Sequence, residues 1–146
     1  MSKSKPLGKP TPPRRLVEQT HRAIALLKSG HPDEALPILE ELDKDYPNTP
    51  EVLGNLVNVY KEIGDLQLHE YAIWRLSRIE TGNADLQFGL ASAYLVNQRP
   101  SLALSTFRNA TWRWTGHQET PAALEIIKDL EIALKEPANE VNLPLD

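Results

Sequence analysis

The chain has 146 residues, of which 40% are hydrophobic and 25% charged, with no cysteine and a formal net charge of −4, which is the composition of one folded domain. Lacking thiols, it has no disulfides, thiolate zinc sites, iron–sulfur clusters or cysteine nucleophiles. No apolar run approaches the roughly 20 residues of a membrane span, and the basic start lacks a signal peptide's apolar core, so a cytoplasmic protein without membrane insertion is expected.

Residues 1–15 carry Lys3, Lys5, Lys9, Arg14 and Arg15 without an acid, a charge of +5, while the other 11 basic and 20 acidic side chains leave −9 for the body. Pro6, Pro10, Pro12 and Pro13 favour polyproline II over helix, so this segment is expected to be a disordered arm. Five charges without aromatics, next to an acidic body, are weak electrostatics for phosphate; no nucleic-acid partner is expected.

From Leu16 onward apolar residues recur at spacings of three and four, interrupted by Gly or Pro every dozen or so. The spacing predicts helices over 16–29, 33–45, 50–63, 66–80, 84–97, 100–114 and 121–136, an all-α chain with a tail over 137–146. Pro32, Pro100 and Pro121 suit first turns, Gly30 and Gly64 suit left-handed stops, and Thr49 and Thr120 can cap the helices that follow. Pro37 is a misfit: it predicts that the second helix starts late or kinks.

A period organises these elements. Gly30 and Gly64 lie 34 residues apart; so do Leu26, Tyr60 and Tyr94, and so do Leu39, Ile73 and Phe107. Helix pairs repeating in register mark a solenoid whose units bury their faces only by stacking. The second unit reads Leu53-x2-Leu56-Val57-x2-Tyr60, and the third reads Leu90-Ala91-x2-Tyr94 and Ala103-x3-Phe107-x2-Ala110. The first offers Ala23-x2-Leu26, Ala35-x3-Leu39 and Pro47, with Arg22 where leucine is usual. This pattern resembles the tetratricopeptide repeat. His69 departs from it in a small-residue slot, as do Thr81 at the terminal proline and Gln87 at the large first position.

The resemblance implies a right-handed α-α superhelix of about seven helices, with repeats over 16–49, 50–83 and 84–117 and a capping helix over 121–136. Small Ala23, Ala35, Ala91 and Ala103 let paired helices approach, and the 34-spaced large residues fill the space between them. In the last helix Ala123, Ile126, Ile127, Leu130, Ala133 and Leu134 form one stripe; Glu125 and Lys128 occupy the slots where a further repeat needs a small residue and an aromatic, so the array ends there.

His21, His31, His69 and His117 are scattered without metal or catalytic spacing, and no Gly-rich phosphate loop is present, so no enzyme activity, metal or cofactor is expected. His69 reads as a partly buried packing residue, and the acids Glu40, Glu41, Asp43 and Asp45 read as a solvated helix face. Trp74, Trp112 and Trp114 occupy no repeat slot. Trp112 and Trp114 either pack under the final helix or, with Trp74, Arg75, Arg78 and Arg113, form a convex contact patch.

The resemblance further implies that the first helix of each repeat lines a concave groove. Its candidate contacts are Val17, Thr20, Ile24 and Leu27, then Asn55, Asn58 and Lys61, then Asp85, Phe88, Ser92 and Leu95. Gly54 and Gly89 in helix interiors suggest close backbone approach by a neighbouring helix or a ligand. The carboxylate clamp of chaperone-tail-binding members is not matched, since Thr20, Ile24, Asp85 and Gly89 stand where polar and basic groups would be needed. The expected partner is therefore another protein presenting an apolar or basic segment, not an acidic C-terminal tail. The expected function is a non-enzymatic scaffold or assembly adaptor. Alternatives are a secretion-type chaperone for an export substrate, and a module that forms homo-oligomers or belongs to a larger repeat protein.

Overall fold

A computed structural model describes residues 11–142, with side chains through Lys135. The described residues form seven helices: α1 (Arg14–Lys28), α2 (Pro32–Asp45), α3 (Pro50–Ile63), α4 (Leu66–Ile79), α5 (Ala84–Val96), α6 (Pro100–Arg113) and α7 (Thr120–Asn142). Each packs on its neighbour in sequence, and α1 also touches α3, so the array is built from nearest-neighbour contacts. It is an all-α superhelix of three helix pairs and a terminal helix. No described helix is long and apolar enough to cross a membrane.

The 34-residue period reappears in the hydrogen bonds that end each first helix. The carbonyls of Leu26, Tyr60 and Tyr94 accept from the backbone N–H of His31, Asp65 and Arg99, at 2.8, 2.9 and 2.8 Å. This six-to-one closure needs a left-handed residue in the turn, supplied by Gly30 (φ 82°), Gly64 (φ 86°) and, in the third turn, Gln98 (φ 59°). Glycine reaches that region at no steric cost, whereas Gln98 does so against its own Cβ.

The core divides in two. Ala23, Ala35, Leu39, Leu53, Leu56, Tyr60 and Ala72 fill the first half; Ile73, Ala91, Tyr94, Ala103, Phe107, Ala123 and Ile127 fill the second, with Val57 packed against both. Ala23, Ala35, Ala91 and Ala103 are each fully buried, as the close approach of paired helices requires.

The helices depart from expectation at four places. α1 begins at Arg14, inside the expected arm, because Arg14 pairs with Glu18 one turn on and Arg15 reaches Asp45 of α2 at 2.8 Å; the rest of the arm before Thr11 lies outside the described residues. α2 neither starts late nor breaks: it runs from Pro32 through Pro37, whose exposed ring leaves only the carbonyl of Asp33, in the solvent-exposed first turn, without its helical donor. The side chains of Thr49 and Thr120 do not cap; their hydroxyls donate backwards to the carbonyls of Tyr46 and Trp114, both at 2.7 Å. The capping oxygens belong to Asp65 and Asn83, which accept from the N–H groups of Leu68 (3.1 Å) and Leu86 (3.3 Å). α7 continues past Glu136 to Asn142, and Ala133 is exposed instead of joining the buried stripe of Ala123, Ile127 and Leu130.

Candidate functional site

Helices α3, α4 and α5 and the turn before α7 enclose a groove with a cavity of about 610 Å³. Its apolar surface comes from Val57, Leu66, Ile73, Phe88, Ala93 and Val96; Asn58, Lys61, Asp85, Ser92, Asn97, Gln118 and Glu119 supply the polar surface. Gly89 lies between the two, and a Cβ built on it meets no atom within 4 Å. The same holds for Gly54, so no neighbouring helix closes on either glycine, and the expected close approach from that side is not found.

Two imidazoles shape the groove. His69, on α4, holds its Nδ1 2.8 Å from the carbonyl of Val57 on α3. A carbonyl only accepts, so Nδ1 carries the proton and donates it. His69 is thus the half-buried residue the sequence suggested, and it also forms part of the cavity wall. At the other end, Nδ1 of His117 accepts the backbone N–H of Glu119 at 3.0 Å, so Nε2 donates to Asp85 Oδ1 at 2.8 Å. The His117 ring stacks on Phe88 at 4.9 Å between centroids. One side chain thereby ties the turn before α7 to α5 and sets Gln118 and Glu119 at the end of the groove.

Of the residues named from sequence, the structure brings Asn58, Lys61, Asp85, Phe88 and Ser92 to this cavity, with Phe88 buried beneath His117. Val17, Thr20, Ile24 and Leu27 on α1 are not part of it: Thr20 is buried, and Leu27 packs on the first half of the core. Leu95 packs on the second half, and Asn55 donates its amide to the carbonyl of Glu51 in its own helix at 2.8 Å. Sequence reasoning missed Leu66, Val96, Asn97, Gln118 and Glu119, which belong to helix ends and a turn.

The aromatic residues lie elsewhere. Tyr71 and Trp74 stack on α4, with Arg75 over the Tyr71 ring at 5.7 Å and Arg78 over Trp74 at 5.1 Å. Trp112 is 85% exposed, so packing under the last helix is excluded for it, whereas Trp114 packs on the core that α7 completes, with Arg113 over its ring at 4.6 Å.

Known proteins share this fold. Residues 16–59, from α1 into α3, match the tetratricopeptide repeat. Between 82% and 88% of the chain superposes on solved structures with TM-scores of 0.64 to 0.70. The fold is that of a tetratricopeptide-repeat solenoid. One similar structure is the type III secretion translocator chaperone SycD of Yersinia enterocolitica, 13% identical over 82% of this chain and 86% of that one, with TM-score 0.64. A second is the first tetratricopeptide-repeat domain of Spaghetti (RPAP3) bound to an HSP90 peptide, 14% identical over 88% and 100% of the two chains, with TM-score 0.64. A third is a MamA double mutant, 18% identical over 84% and 69%, with TM-score 0.70. No curated protein matches the sequence. In this solenoid the groove joins the second repeat to the third and is ended by the turn that leads into the capping helix.

Proposed function

We propose that this tetratricopeptide-repeat solenoid is a non-enzymatic adaptor that receives one extended segment of a partner protein in the groove between α3 and α5. The observation carrying this reading is the open space above Gly89 in a cavity with an apolar floor and a polar rim. Asn58 offers donor and acceptor to a ligand backbone, whereas Asn55 does not line the cavity and gives one N–H to its own helix. Asp85 and Glu119 outweigh Lys61, so a basic or apolar segment suits the groove. The likeness to SycD, one structure of which holds a peptide of the translocator YopD, supports a peptide-sized ligand and keeps the chaperone reading as a variety of the same groove function.

A photoreactive residue at Ser92 in the full chain, compared with and without Gly89→Leu, tests this. Crosslinking to a partner that Gly89→Leu abolishes while melting stays unchanged or rises is the expected result, since the new side chain enters open space. Crosslinking indifferent to Gly89→Leu overturns the reading. Co-purification with a single aggregation-prone export substrate would select the chaperone variety over the scaffold.

A further inference from the structure

On α4, Leu66, His69 and Ile73 face the groove; at about 100° per residue, Tyr71, Trp74 and Arg78 fall on the opposite flank. Tyr71 is 54% exposed and Trp74 38% exposed, yet the two rings are stacked at 6.0 Å and each carries a guanidinium. Large aromatics held in place before a partner arrives lose little side-chain freedom on binding, which is what concentrates affinity in interfaces. Beside them opens a second cavity of about 400 Å³, walled by Trp74, Arg78, Thr81, Leu90, Tyr94 and Asn109.

The charges around this cavity are unequal. Arg75 is occupied, its fork closed on Asp43 at 2.7 and 2.8 Å. Arg78 has no carboxylate partner among the described residues and lies over Trp74. Arg113 donates to the carbonyl of Thr81 on the cavity wall at 2.9 Å and likewise has no carboxylate partner among them. Glu80, the neighbouring acid in sequence, accepts from the Asn83 amide. Two uncompensated guanidiniums therefore flank a cleft with an aromatic wall.

We propose that this flank is a second docking surface, for an acidic segment of a partner protein that inserts an aliphatic or aromatic side chain beside Trp74 and sets carboxylates against Arg78 and Arg113. The groove favours the opposite charge, so the two faces of α4 sort partners by sign and let one chain hold two of them. Guanidinium and carboxylate pair in two-point geometry, and the exposed rings remain available to an apolar side chain.

The probe is a short peptide alternating Glu with Phe and Leu, with a counterpart carrying Lys for Glu, titrated into the full chain and followed by tryptophan fluorescence and calorimetry. The acidic peptide should saturate one site, and both Arg78→Glu and Trp74→Ala should weaken it by about tenfold or more. Binding should fall with added salt, survive Gly89→Leu unchanged, and shift toward the Lys peptide in Arg78→Glu. Circular dichroism of Arg78→Glu should match the parent, since Arg78 is exposed. Absence of saturable binding, indifference to Arg78→Glu, or loss of binding in Gly89→Leu, which would place the peptide in the groove, each overturns the proposal.

Discussion

Arg75 and Asp43, 32 residues apart in sequence, join α4 to α2 through two parallel hydrogen bonds of 2.7 and 2.8 Å. Both side chains are four-fifths buried, and the bonds to Asp43 outweigh burial in raising the Arg75 pKa above its ordinary value. Arg75→Met should therefore destabilise the chain by about 1–3 kcal/mol, because the largely covered Asp43 carboxylate loses the two donors that Arg75 supplies. Chemical denaturation at low and high salt checks this: the loss should persist at high salt, which screens exposed pairs more than covered ones.

Tyr60 gives a pH dependence of known sign. Its hydroxyl donates to Glu40 at 2.7 Å, and burial, followed by that bond, pushes the phenol well above the usual tyrosine range. A group whose folded pKa is raised contributes in full below its unfolded pKa of about 10, and the contribution disappears as pH climbs through the folded value. Tyr60→Phe should cost about 0.5–1.5 kcal/mol at neutral pH yet become less sensitive to alkali. Melting curves from neutral pH into the alkaline range should show the difference between the two proteins shrinking, then reversing.

Tyr94→Ala and Phe107→Ala should each cost about 3–5 kcal/mol, since both rings are buried in the second half of the core. Trp112→Ala, at an exposed ring of comparable size, should change stability by less than about 0.5 kcal/mol. Denaturant midpoints separate a slot set by the 34-residue period from a ring outside it.

Gly89→Ala and Gly54→Ala should each raise stability by about 0.5–1 kcal/mol, because both sit in helix interiors with no atom within 4 Å of the added methyl. The two gains should add, as the sites belong to different helices.

Residues 14–142 are helical nearly where the sequence placed their helices, because Gly30, Gly64, Pro32, Pro50 and Pro100 punctuate the chain at positions that side-chain sterics make unambiguous. Pro37 does not delay the helix start, because an exposed proline near a helix start removes only one bond. At the groove, repeat logic found Asn58, Lys61, Asp85, Phe88 and Ser92, all on first helices. It overlooked Gln118 and Glu119 because their position follows from a single imidazole, His117, stacking on a residue 29 positions earlier, and no periodicity encodes such a contact. Thr20 and Leu27 fill groove slots by register but lie outside this cavity, which starts at α3, and Thr20 is buried.

The third turn of the array, where Gln98 stands in for glycine, is fastened by additional bonds. Asn97 and Arg99, the residues on either side, both donate to the carboxylate of Glu70, which is buried on α4. All three repeats close the turn with the same backbone bond, and the third adds an acid on the preceding helix. The turn is consequently inherited as a set: Glu70→Gln alone should loosen it, Gln98→Gly alone should make the acid dispensable, and a shuffled array that takes its third repeat without the matching α4 should fold poorly unless glycine is restored.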